Sequence, residues 1–252
     1  MSLKRRISPF LHKVGFACGV SAIMAHRQGD MRILMYHGVG TDDFTPETFV
    51  AGLRYLRRHF DVVPLSRIVE NVRAGKTGTG REVALTFDDG LRNNFTVLYP
   101  ILQRVEAPAT FFVVPEAVEK KQWIWTHDAR ERLSSLTEVD CYVFAGELQA
   151  PSSECLGIVD WMKTLTNKQR VEIHQRIRER TKAFVPTPAQ HHKFDLMDWE
   201  ELQSLEPRLI TIGSHSMTHP ILSNISDDEI QTEIVESRRP RRSLTPSGTR
   251  HR

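Results

Sequence analysis

The residues able to do chemistry gather in two short stretches of the chain. In Val83 to Phe95, VALTFDDGLRNNF, an apolar run ends in two adjacent carboxylates, Asp88 and Asp89, and a glycine. Neighbouring carboxylates repel, which raises the pKa of one of them unless a positive charge sits beside the pair. The second stretch, LITIGSHSMTHP, offers a way to supply that charge through His215 and His219, four residues apart. On a helical turn this spacing puts both imidazoles on one side, where they can converge on an ion. Pro220 disfavours helical geometry at His219, so the expected turn is a single one. One carboxylate and two neutral imidazoles leave a divalent cation with a net charge near ~+1 and with open positions, which is the arrangement of a catalytic site. The remaining carboxylate can then accept a proton from water acidified by the ion. Consecutive residues of an extended segment point in different directions, so one Asp can face the metal and its neighbour the water.

Both stretches follow apolar runs, and the elements that position them can be read from the pattern. MRILMYH, EVALTFDDG, ATFFVVP and LITIGSH each read as a strand buried on both faces. Between them lie helical patterns. In TPETFVAGLRYLRRHF, Thr45 can cap, Pro46 suits the first turn, and Phe49, Leu53 and Leu56 share a face. Ser226 with Glu229 makes a capping box and Ile225 with Ile230 a hydrophobic staple, which predicts a helix from Asp227 to Arg239. Asp198 and Glu201 repeat the box. Strands alternating with helices imply a parallel α/β sheet or barrel, whose functional groups collect at the carboxyl ends of the strands. Residues 115–194 read as a helical insertion. Within it Asn167 is expected to cap a helix over KQRVEIHQRIRERTK, and the Pro- and His-rich VPTPAQHHKF to close it as a loop.

TFDDG followed by HSMTHP resembles the first two motifs of the polysaccharide deacetylases, the NodB-homology domains of carbohydrate esterase family 4, and ILMYHGV resembles the first strand of many members. The resemblance covers roughly residues 31–239. It implies a distorted (β/α) barrel and hydrolysis of an N-acetyl, sometimes O-acetyl, group on a glycan. It also implies roles for the four residues: Asp88 as general base, with Asp89, His215 and His219 as ligands of a divalent metal, zinc first among the candidates. Members continue beyond the second motif through further strands, an acetyl-binding loop and a late histidine. Here the residues after EIQTEIVESRR form a basic, Pro- and Gly-containing stretch, 240–252, that reads as a disordered tail and a truncated end. The expected alternative to a working enzyme is therefore an impaired remnant that keeps metal or glycan binding.

Composition narrows the remaining classes. Lys and Arg exceed Asp and Glu by only 34 to 31, and the excess sits in LKRR and RRPRR, not along a helical face. A nucleic-acid partner is thereby disfavoured, leaving an acetylated glycan as the expected one. The three cysteines, Cys18, Cys141 and Cys155, are far apart, so neither a disulfide framework nor a cysteine zinc site is indicated, and reduced structural thiols are the default. Residues 1–30 join Lys4, Arg5 and Arg6 to the apolar VGFACGVSAIMA, which favours an amphipathic helix over a signal segment. That reading allows membrane-surface contact and a cytoplasmic or membrane-associated location. Tyr36 and His37, ending the first strand, are candidates for lining the site, with a structural hydrogen-bonded role for His37 weighed equally. Trp123 and Trp125 could stack on sugar rings, but burial against the inserted helices is the favoured role. His191 and His192 lack a partner spacing and are expected to be exposed.

Overall fold

The computed structural model describes residues 31–41 and 44–238. The amino-terminal segment 1–30, Cys18, and the tail 240–252 lie outside the described residues, as does Arg239, the expected end of the last helix. The described residues divide into two compact units: those within 31–87, 97–111 and 206–211 form one, and those within 88–96, 112–205 and 212–238 the other.

The first unit is built on a mixed α/β plan around a parallel sheet. Strand β1 (Arg32–Tyr36) leads to helix α1 (Pro46–His59), the short β2 (Asp61–Val62), α2 (Leu65–Arg73) and β3 (Glu82–Phe87). A π-helical turn at Asn94–Leu98, α3 (Tyr99–Val105), β4 (Ala109–Val113) and, much later, β5 (Ile210–Ser214) complete the set. The strand order is β1-β3-β4-β5, with β2 also on β3. β1 runs parallel to β3 with Arg32 opposite Val83 and Tyr36 opposite Phe87. β4 is parallel to the end of β3, with Phe87 opposite Phe111. α1 forms as its sequence predicts, because the Thr45 hydroxyl accepts from Thr48 N and Pro46 occupies the first turn. Its Phe49 and Leu53 are buried.

All six residues of β3 are buried, as a strand covered on both faces requires. β1 departs from that expectation: Ile33 and Met35 are 52% and 57% exposed, alternating with partly buried neighbours. Apolar composition does not tell how many faces of a strand are packed, and β1 packs one. β5 also differs, with Thr211 and Ile212 exposed beyond a buried Ile210.

The second unit is mostly helical. After the ends of β4 and β5 it contains α4 (Pro115–Lys120), α5 (Trp125–Ser134), α6 (Glu138–Leu148), α7 (Cys155–Met162), α8 (Asn167–Arg180), α9 (Pro188–Phe194), α10 (Trp199–Ser204) and α11 (Asp227–Glu236). Residues repeating at helical spacing, Ala129 with Leu133, Phe144 with Leu148 and Ile173 with Ile177, interlock in its apolar core. Three boundaries differ from the sequence expectation. The cap of α8 is Thr166, not Asn167, because Gln169 stands three residues after Thr166 and closes a capping box with it. VPTPAQHHKF contains a helix, since Thr187, Pro188 and Gln190 supply cap, first-turn proline and box. α11 has the predicted Ser226 and Glu229 box but ends at Glu236. Among the described residues no helix is long and apolar enough to cross a membrane.

One buried acid anchors these helices. Asp128 of α5 accepts from Arg132 Nε at 2.9 Å and Arg178 Nε at 2.9 Å, and its Oδ2 lies 2.7 Å from His174 Nε2. Burial by itself would raise its pKa, yet the bond to His174 and the charge of Arg178 hold the carboxyl well below the usual range.

Candidate metal centre

The centre lies in the second unit, where the chain leaves β3 and β5. Past Phe87 the backbone turns through Asp89 at φ 72° and Gly90 at φ 74°. Asp tolerates this left-handed region better than most residues. Gly90 is required for a second reason: a Cβ there would meet Val113 Cγ1 at 3.0 Å. The turn is pinned on its far side, where Gly90 O accepts from Met197 N at 2.9 Å and Arg92 N donates to Asp195 O at 2.7 Å. Asp89 is buried as a result, and Asp88 is partly buried.

After β5 the chain forms a loop rather than the helical turn expected from the histidine spacing. Ser216 and His219 take φ 58° and 59°, which no helical turn would allow. The loop is held by its backbone. His215 N donates to Val113 O at 2.8 Å, and Met217 O accepts from Glu116 N at 3.2 Å. Trp125 Nε1 donates to His219 O at 2.9 Å. Glu233 of α11 reaches in from the other side: its Oε2 accepts from Met217 N at 2.7 Å and Thr218 N at 2.8 Å, and its Oε1 from the Thr218 hydroxyl at 2.6 Å.

This clasp brings the two histidines to Asp89. Asp89 Oδ1 lies 3.7 Å from His215 Nε2 and 3.6 Å from His219 Nε2, with the imidazole centroids 4.9 Å apart. One ligand atom from each of the three residues falls within 4.8 Å of the others. Three atoms each bonded at ~2.1 Å to one tetrahedral ion are separated by about 3.4 Å, so the observed spacing fits a shared cation. The donor set fits as well, with one carboxylate oxygen and two imidazole nitrogens. Burial pushes the His219 pKa down to about 4 against the opposing pull of Asp89, with His215, His127 and Arg170 lowering it further. His219 is therefore neutral at pH 7, with a lone pair ready for a metal.

A residue that spacing rules do not find joins the group. His127 of α5 places Nε2 3.4 Å from Asp89 Oδ2 and stacks on Phe194 with centroids 4.8 Å apart. It fixes which Asp89 oxygen faces the histidine pair, as outer partners of metal ligands commonly do. In the sequence it is one residue of WTHDARERL, with nothing that links it to the Asp88 and Asp89 stretch or to the His215 and His219 stretch.

The other candidates have surroundings of their own. Tyr36 belongs to the first unit and packs among Phe44, Phe87 and Phe49, with centroids 5.6, 5.2 and 6.0 Å away. Burial raises its pKa, which suits a neutral phenol in an aromatic cluster. His37 follows it in the same unit. Trp125 is buried in the helical core, and Trp123 donates its indole N–H to Asp195 Oδ1 at 2.7 Å. His191 and His192 are exposed, but His191 has a partner, its Nδ1 being 3.0 Å from Asp195 Oδ1.

Among solved structures that align with the chain is the Streptococcus pyogenes deacetylase PplD in complex with acetate, at 16% identity over 82% of this chain and 65% of that one, with a TM-score of 0.49. A de-N-acetylase from Aggregatibacter actinomycetemcomitans aligns at 18% identity over 74% of this chain and 54% of its own, with a TM-score of 0.39. The BpsB deacetylase domain from Bordetella bronchiseptica aligns at 19% identity over 75% and 55%, with a TM-score of 0.36. The chain thus spans less than two thirds of the length of each. Comparison with curated proteins finds no match. A family model described as polysaccharide deacetylase matches residues 75–251, a span that contains both the Asp88 and Asp89 turn and the His215 to His219 loop. Most of the sequence and all three candidate metal ligands lie within that match, and the chain belongs to the polysaccharide deacetylase family.

Proposed function

We propose that this chain hydrolyses acetyl groups, N-acetyl foremost, from a polysaccharide or oligosaccharide, using a divalent cation, zinc first, held by Asp89, His215 and His219. The observation that carries the reading is the convergence of one buried carboxylate oxygen and two imidazole nitrogens from two strand ends, with a second carboxylate, Asp88, adjacent in the chain. When bound, the cation supplies Lewis acidity toward the acetyl carbonyl and toward water. Asp88 accepts the proton of the attacking water, the role for which a carboxylate outside the ligand set is suited. His127 holds the second oxygen of Asp89 and so keeps the first aimed at His215 and His219. Glu233 and Trp125 hold the loop that carries both histidines, so the ligand atoms are arranged before any ion arrives. Attack makes the acetyl carbon tetrahedral, and as the C–N bond breaks the proton taken from water passes to the departing nitrogen, releasing acetate and a free amine on the sugar.

The test combines metal analysis with acetate release from chitin oligomers, peptidoglycan and bacterial exopolysaccharide. Chelator-treated protein should regain one zinc per chain and, with it, acetate release from at least one substrate. Full metal loading with acetate from none of them would overturn the enzymatic reading in favour of a remnant that only binds.

A further inference from the structure

Two thiols outside the metal centre meet inside the helical core of the second unit. Cys141 lies on α6 and Cys155 opens α7, fourteen positions later, and their Sγ atoms are 2.6 Å apart. Non-bonded heavy atoms rest at about 3.5–4.0 Å, so the two helices already hold the sulfurs well inside contact distance, and only a small approach separates them from the ~2.05 Å of a disulfide bond. The two sulfurs differ in setting. Cys141 is 2% exposed, and burial followed by the neighbouring Cys155 pushes its thiol up to about 12. Cys155 is partly exposed, and its Sγ contacts Leu133 O on α5 at 3.2 Å. An outside reagent therefore reaches Cys155 first and finds Cys141 directly behind it.

We propose that Cys141 and Cys155 are a disulfide-forming pair, a modification site that staples α6 to α7. The oxidant class is a small-molecule disulfide, RSSR. The Cys155 thiolate attacks one sulfur of RSSR, giving a protein–SR mixed disulfide and releasing RS⁻. Cys141, losing its proton as it reacts, attacks Cys155 Sγ and expels the second RS⁻. Two protein thiols have then lost two electrons and two protons, and RSSR has become two RSH. The buried partner is the resolving thiol and the accessible one the entry point, which matches the order of exposure. Leu133 belongs to α5, the helix that carries His127, so the staple supports the layer behind the metal centre without touching a ligand.

The experiment treats the full chain with oxidised glutathione, alkylates it under denaturing conditions and maps the peptides. The expected product has lost two hydrogens, joins the Cys141 and Cys155 peptides, and keeps one alkylatable thiol of the three cysteines. Reductant should lower its melting temperature by roughly 5–10 °C, the size expected for a short closed loop in a chain of this length. Cys141→Ser should trap glutathione on Cys155, and Cys155→Ser should leave Cys141 unmodified. Three alkylatable thiols after oxidation, or a crosslink running to Cys18, would overturn the proposal. Peptide mapping of the unsubstituted chain decides the matter even if either serine variant fails to fold.

Discussion

Asp89 and Asp128 are both buried aspartates with histidine company, and neighbouring positions on α5 serve both: His127 touches Asp89, while residue 128 is itself the other acid. Their surroundings differ in one decisive respect. Asp128 is met by two guanidiniums and one imidazole, all within 2.9 Å, so its lone pairs are taken by two permanent cations, Arg132 and Arg178, and by the ring of His174. Asp89 Oδ1 is met by the His215 and His219 imidazoles at 3.7 and 3.6 Å, too far for good hydrogen bonds and close to the separation of ligands around one ion, while its Oδ2 faces His127 at 3.4 Å. A carboxylate and histidines in a buried cluster do not by themselves mark a metal site. What separates the two is whether arginine has already neutralised the charge, and whether the spacing leaves room for an ion.

The sharpest way to break that contrast is to neutralise each acid in turn. Asp89→Asn should weaken zinc binding by more than ~10²-fold, exceeding the 10- to 100-fold typical of lost outer partners, and should abolish turnover. Asp128→Asn should leave zinc content intact but cost up to about 3–5 kcal/mol of stability by stranding Arg132 and Arg178. Metal analysis and urea midpoints on both variants read this out; an exchange of the two phenotypes would sink the distinction. Next in size, Asp88→Asn should keep its metal and lose ~10²–10⁴ in acetate-release rate, because only the proton acceptor is gone. Metal loss on that substitution would instead make Asp88 the ligand.

A smaller effect sharpens the structural side. The Asp128 pKa is depressed in the folded protein, against about 3.9 when unfolded. Its contribution to stability is therefore complete above the unfolded value and fades as pH falls toward the folded one. The stability gap between the parent and Asp128→Asn should be constant from about pH 7 to pH 5 and narrow below about pH 4. A gap that widened with acid, measured by urea denaturation, would mean that the carboxyl is not held ionised by its cations.

Much of the scaffold was legible because it rests on local rules. The β3 run, the Thr45 and Ser226 caps and the Asp198 box depend on residues within a few positions of each other. Thr166 displaced Asn167 as a cap for an equally local reason, the placement of Gln169. The candidate cluster of Asp89, His215 and His219 could also be read, since all three follow the ends of strands. Their means of convergence could not. A spacing of four suggests a helical turn, whereas the loop uses left-handed residues and is tied down by Glu233 and Trp125, neither of which is marked by any periodicity. His127 was hidden for the same reason, because its link to Asp89 exists only in three dimensions. The two exposed apolar side chains of β1 show a further limit: composition reports hydrophobicity but not how many faces will be covered.

The hydrogen bond from Trp125 to the carbonyl of His219 has an optical consequence. The indole is buried, with the Arg170 guanidinium over its ring at 4.7 Å, and its one polar hydrogen is committed to the backbone of the loop that carries His215 and His219. Indole emission responds to the field of nearby charges and to the loss of such a bond. Trp125 is thus a built-in chromophore reporting on the loop. With Trp123, Trp161 and Trp199 replaced by phenylalanine, its fluorescence would follow ordering of that loop in real time, without substrate, label or turnover.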